Sequence, residues 1–254
     1  MKTKSNILPV DFYTKHPVQS ALIIFVVYMI ASTLAGLAAQ YFFPQFAPDF
    51  VALVVMSILV ALSLTVLGWW KAAGFNKPSE WQNAGLMGLP FVIVLVLPFL
   101  AGIQTSDWGT FLYLAIGYAL TGFMEEGLMR GIVLHVLEPT GTTRSIIISA
   151  LLFGLIHIGN LLYRNPAIVL AQMVGAFVHG IGLGAIRLRT NTIWFPIILH
   201  GLHDLVLKYT KFPAIPLDVV QVTLLMVYGI YLLRTWKKPV IGTLTEATRP
   251  SATT

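Results

Sequence analysis

The sequence predicts an all-α polytopic membrane protein, a single bundle of about eight transmembrane helices, and three observations carry that reading. The 254 residues are 57% hydrophobic and only 10% charged, against roughly 25% charged residues in an ordinary soluble domain. Apolar runs of about 20 residues, the length that crosses a bilayer, recur along most of the chain. The lysines and arginines fall in alternate connections between those runs. Cysteine is absent, which removes disulfides, thiolate catalysis and thiolate-bound metal from consideration.

In chain order, spans are expected over roughly 19–43, 50–70, 85–103, 108–137, 142–161, 166–188, 191–209 and 214–235. Proline and glycine punctuate the gaps, as in FFPQFAPD, GFNKPSE, PTGTTR, RNPA and KFPAIP. The first run is longer than a signal-peptide core, and its cleavage-like AGLAA lies deep inside it, so an uncleaved span is expected. Neither end carries a lipidation box. The stretch from Lys71 to Gln82, with Lys77, Glu80 and Trp81, reads as an interfacial loop or surface helix, and Trp69 and Trp70 fit the same aromatic belt. One transmembrane domain is expected over 1–240, followed by a small, polar, disordered tail at 241–254.

Charge gives orientation. Lys2, Lys4, Lys15, Lys71, Lys77, Arg130, Arg144, Arg187, Arg189, Arg234, Lys237, Lys238 and Arg249 fall on one side of the expected membrane, and only Arg164, Lys208 and Lys211 on the other. The positive-inside rule then puts both termini in the cytoplasm of a multi-pass cell-membrane protein. The same one-sidedness accounts for the net charge of +6 without nucleic acid as a partner. Arg187 and Arg189 read as ordinary cytoplasmic anchors.

Within the apolar runs, ionisable residues are concentrated in three. The fourth holds GFMEEGLMR, with Glu125, Glu126 and Arg130; the fifth ends FGLIHIGN, with His157 and Asn160; the seventh reads WFPIILHGLHDLV, with His200, His203 and Asp204. Such residues are costly in a bilayer and are functional candidates. Glu126 and Arg130 are four apart and can pair on one helix face. Glu125 projects about 100° away, so one carboxylate can be neutralised while its neighbour stays available. His200 and Asp204 share a face in the same way. At 1.5 Å per residue Glu125 lies about 18 Å from the cytoplasmic edge, His157 about 22 Å, His200 about 14 Å and Asp204 about 20 Å. A glutamate, two histidines and an aspartate thus reach similar depth, around a hydrated cavity. Gly122, Gly127, Gly131 and Gly154 permit close helix packing there.

A carboxylate held with an imidazole can deprotonate water, and a second polar pair can stabilise the oxyanion formed on an attacked carbonyl. No serine nucleophile elbow and no His-Glu-x-x-His zinc helix is present. General-base attack by water needs no cofactor. The alternative is a divalent metal, zinc being the natural choice, on Glu125, His157 and His200, with metal-bound water as nucleophile. A proton-coupled transporter using the same residues as a relay, and a non-catalytic scaffold, stand as further alternatives, although no inverted repeat supports transport.

Three motifs then stand in order on separate apolar helices: Glu125-Glu126-Gly-Leu-Met-Arg130, Phe153-Gly-Leu-Ile-His157 and His200-Gly-Leu-His203-Asp204. Together they resemble the CAAX-protease-and-bacteriocin-processing (CPBP) family of intramembrane proteases, whose eukaryotic members are the type 2 CAAX prenyl endopeptidases. The resemblance covers roughly 108–209. It implies an endopeptidase acting on membrane-associated proteins or peptides, prenylated or unprenylated. It further implies that Glu125 and His157 activate water, that His200 and Asp204 bind the oxyanion or orient the substrate, and that Glu126 and Arg130 support the site beside Phe153. Asp204 stands where many relatives carry asparagine, and a carboxylate donates no hydrogen bond unless protonated. Outside these roles, His203 is expected to face another helix, His135 to be interfacial, and His179 to belong to packing beside Gly180-x-x-x-Gly184.

Overall fold

A computed structural model describes residues 10–45, 47–78 and 88–235. After a short helix, Val10–Lys15, eight helices follow the expected order: α1 Pro17–Phe42, α2 Pro48–Leu67, α3 Gly88–Phe99, α4 Trp108–Glu126, α5 Thr142–Leu155, α6 Pro166–Thr190, α7 Trp194–Tyr209 and α8 Ala214–Thr235. α4 runs on through a π-helical turn, Gly127–Val133, into Leu134–Leu137, and α5 through a 3-10 stretch, Ile156–Leu162. The described residues contain no strand, only an isolated bridge between Ile103 and Thr210. Outward faces are apolar and exposed, for example Ile23, Val27 and Leu34 on α1 and Val219 and Val227 on α8, as a bilayer-facing surface requires.

Five helices are long and apolar enough to cross a membrane: α1, α2, α5 with its 3-10 extension, α6 and α8. The other three expected spans are shorter or more polar. α3 is described over Gly88–Phe99, about 18 Å; of the 85–103 expected, 85–87 lie outside the described residues and the helix ends at Phe99. Pro98 lacks an N–H, so the Val94 carbonyl loses its helical partner; Gln221 Nε2 on α8 donates to it at 3.2 Å and to Ile93 O at 3.0 Å. α7 has 16 residues and spans about 24 Å. α4 is long, but carries the charges.

The two ends of the bundle are tied by polar contacts. At one end Ile193 N–H donates to Gly74 O at 2.8 Å and Thr192 Oγ1 to Asn76 O at 2.7 Å. Arg187 is also here, only 3% exposed, donating to Ala72 O and Ala73 O at 3.0 and 3.2 Å. It is therefore a buried strut for the 71–76 loop and not the free headgroup anchor expected: the loop's turned carbonyls need donors, and a guanidinium supplies several. At the other end Gln104 N–H donates to Tyr209 O and Lys211 N–H to Gly102 O. Trp69 packs edge-on against Tyr13 and His135, and Trp70 against Phe75. Glu80, Trp81 and the tail expected at 241–254 lie outside the described residues.

Two close crossings set the site. α4 meets α7 where a Cβ on Gly122 would lie 2.6 Å from Ile197 O, and one on Gly201 2.9 Å from Tyr118 O. α5 meets α6 where a Cβ on Gly154 would lie 2.7 Å from Met173 O. Only glycine permits backbones to come so near. Each crossing lies about one helical turn from a motif residue.

Candidate active site

Glu126 is fully buried and anchors the centre. Arg130 Nη1–H donates to its Oε1 at 3.0 Å, the pairing expected of residues four apart, and His200 Nδ1–H donates to the same oxygen at 2.8 Å. The Arg130 guanidinium lies over the Phe153 ring, 4.1 Å from its centroid. Phe153 also meets two imidazoles edge-on, His157 at 5.5 Å and His200 at 5.7 Å between centroids. One aromatic ring thus contacts a charged or polar group from each of the three motif helices. Sequence reasoning had Phe153 only as a supporting residue; its three-way contact needs tertiary structure.

The π turn helps fit this in. It widens the helix over Gly127–Val133, where every residue is buried, and Ser149 Oγ on α5 donates to Met129 O at 2.8 Å.

Glu125 takes a different direction, as the helical angle demands. Its side chain keeps 15% exposure, and Oε2 lies 3.8 Å from His200 Nε2. Asp204 Oδ2, with 27% side-chain exposure, lies 3.6 Å from the same nitrogen. These separations are longer than hydrogen bonds, so the two carboxylates flank Nε2 without occupying it. His157 Nδ1–H donates to Phe153 O at 3.0 Å. A carbonyl only accepts, so neutral His157 keeps its proton on Nδ1 and leaves Nε2 as acceptor. His157 is partly exposed and is joined to His200 through the Phe153 ring that both imidazoles meet. The four residues expected to do chemistry, Glu125, His157, His200 and Asp204, thus come together, with Glu126, Arg130 and Phe153 packed behind them.

The remaining histidines take no part in this group. His203 faces α8, its Nε2–H donating to Asp218 Oδ1 at 3.0 Å. His179 is buried, with its ring 5.4 Å from that of His200 and 4.9 Å from that of His203. His135 lies at the bundle end, 3.3 Å from Glu138 Oε2. Among the described residues no three His, Asp or Glu side chains converge closely enough to hold an ion as they stand. His200 Nδ1 and His157 Nδ1 are engaged by Glu126 and a backbone carbonyl, which leaves Nε2 as the free nitrogen of each ring.

A cleft of about 310 Å³ opens at the Trp108 end of α4, lined by Phe99, Trp108, Phe111, Leu205 and Tyr209 and by none of the motif residues.

Comparison with known proteins gives one family. Residues 107–206 match the model of the Rce1-like family, described as type II CAAX prenyl endopeptidase Rce1-like. No curated protein and no solved structure matches the chain. The matched segment contains all three motifs and nearly coincides with the 108–209 stretch over which they resemble CPBP proteases. Residues 107–206 are therefore similar to the Rce1-like family, consistent with the CPBP group, and that similarity supports a CAAX-type intramembrane protease in general terms.

Proposed function

We propose that the chain hydrolyses peptide bonds of membrane-associated proteins or peptides with water activated by Glu125 and His157, without a resident metal. The observation that carries this is the division of labour between adjacent glutamates. Glu126 is consumed by Arg130 and His200, whereas Glu125 stands partly open beside His200 Nε2. Glu125 takes a proton from water as its oxygen bonds to the scissile carbonyl carbon, and the carbonyl π electrons move onto oxygen. His157, with Nε2 as acceptor, orients the same water. A His200 imidazolium donates Nδ1–H to Glu126 and Nε2–H to the new oxyanion, a placement that strengthens as charge develops. Asp204 lies beside His200 as its counter-charge; as a carboxylate it does not face the oxyanion itself. When the intermediate collapses, the C–N bond breaks and the leaving amine takes the proton held by Glu125.

The bilayer orientation belongs to the same proposal: both termini lie in the cytoplasm, as the lysine and arginine distribution demands. The absence of cysteine lets single-cysteine substitutions report sidedness without background.

The test uses purified protein and a membrane-tethered fluorogenic peptide, prenylated and unprenylated. Wild type cleaves and Glu125→Ala does not. Cleavage abolished by a chelator and restored by zinc would overturn the metal-free route. Flux across liposomes lost in Glu125→Ala, with no cleavage by wild type, would overturn the protease.

A further inference from the structure

Beyond the hydrolytic group lies a second polar assembly at the end of α5. The helix tightens into a 3-10 stretch over Ile156–Leu162. Seven residues is long for that geometry, in which side chains three apart stand one above the other. His157 and Asn160 are three apart and so share one side. The Asn160 carboxamide is held at both ends. Its Nδ2–H donates to Gln172 Oε1 on α6 at 2.8 Å, and Tyr163 OH donates to its Oδ1. The Gly154–Met173 crossing, immediately beside Gln172, fixes the register of the two helices. Asn160 and Gln172 are each only partly buried. Gln172 uses its oxygen in this pair and keeps its two N–H donors.

Distance along α6 relates the pair to the chemistry. Gln172 and His179 are seven residues apart, two turns on one face, and the His179 ring lies 5.4 Å from that of His200. Gln172 is therefore about 10 Å along the helix from the level of His200. An extended peptide advances about 3.4 Å per residue, so this interval corresponds to about three residues of substrate.

We infer that Asn160 and Gln172 form a subsite for the backbone of an extended peptide, about three residues from the scissile bond. Asn160 holds the Gln172 amide in place, and Gln172 Nε2–H donates to a substrate carbonyl. This rests on the protease reading and adds to it a minimum substrate length on one side.

The experiment compares wild type with Gln172→Glu on fluorogenic peptides shortened one residue at a time from either end. Glutamate still accepts from Asn160 Nδ2 but has lost the donors. Wild-type kcat/KM is expected to fall about five- to tenfold when the third residue from the cut is removed on one side, the scale of one hydrogen bond. The variant should not register that removal. Gln172→Met, which breaks the Asn160 bond as well, should be equally insensitive; its melting temperature in detergent measures the structural share separately. Identical length dependence in wild type and Gln172→Glu would overturn the subsite. A binding arm does not require catalysis: on the Glu125→Ala background the longest peptide should bind about five- to tenfold more weakly when Gln172→Glu is added. Equal binding in that arm also overturns the subsite, whether or not wild type cleaves, whereas absent cleavage alone overturns only the protease.

Discussion

Along the fourth helix, the half running from Trp108 to Thr121 leaves Trp108, Leu112, Tyr113 and Ile116 exposed, whereas from Gly127 to Val133 every residue is buried, and Glu125 and Glu126 fall at the border between the two. The neighbours consequently differ in every physical respect. Glu126 looks into the buried half, where an unpaired charge is intolerable, and it is paired twice through one oxygen. Glu125 keeps 15% exposure and, among the described residues, holds no hydrogen-bonded partner at short range. In the proposed mechanism rigidity and reactivity are thus separated within one step of the chain: Glu126 positions His200, and Glu125 meets the substrate.

Four substitutions break or sharpen this contrast. The largest effect is expected for Glu125→Gln, which keeps shape and removes the base. Cleavage should fall by about a thousandfold, within the usual range for a general base, while melting in detergent is nearly unchanged. Loss of folding instead would show that Glu125 belongs with the buried half. Next comes Arg130→Met, which leaves the Glu126 charge without its guanidinium and empties the contact over Phe153. About 3–5 kcal/mol of stability should be lost, as for other broken buried pairs, and activity should fall with it; a calorimetric or denaturant series on the membrane protein measures this.

Gly122→Val tests the crossing that brings α4 to α7. A side chain there meets the Ile197 carbonyl, so the helices must part, at a cost of about 1–3 kcal/mol. Because Glu126 and His200 lie on the two helices that separate, kcat should suffer more than KM. The smallest effect belongs to Asp107, which caps the exposed start of α4 by accepting from Thr110 N–H at 2.9 Å and Thr110 Oγ1–H at 2.7 Å. Those bonds to Thr110 hold its carboxyl below the usual aspartate range. A depressed folded-state value means that its contribution is present above the unfolded value and lost as pH falls through the folded one. Asp107→Ala should lower melting slightly near neutrality, and the difference should vanish in acid; a difference that persists there would remove the capping bond as its cause.

Much of the site was legible before any coordinates, because helical periodicity is a local property. Four-residue spacing put Glu126 on Arg130, and the rotation between adjacent residues freed Glu125. What was not legible has equally physical reasons. The end of α3 carries a proline whose lost hydrogen bond is replaced from α8, 127 residues away. Arg187 reads as a cytoplasmic anchor from charge alone, and its burial follows only from carbonyls of a distant loop. Phe153 carries no polar signal, so its contact with three motif helices is invisible in the string.

By itself, then, the sequence determined that the chain is helical and membrane-embedded, which groups can be charged, and which side of each helix they share, since all of these follow from composition and a fixed 3.6-residue turn. Only the tertiary structure decided which charges meet across helices, which glutamate is held and which stands open. Those outcomes depend on how closely backbones approach at Gly122, Gly201 and Gly154, and that distance is set by the packing of several helices together.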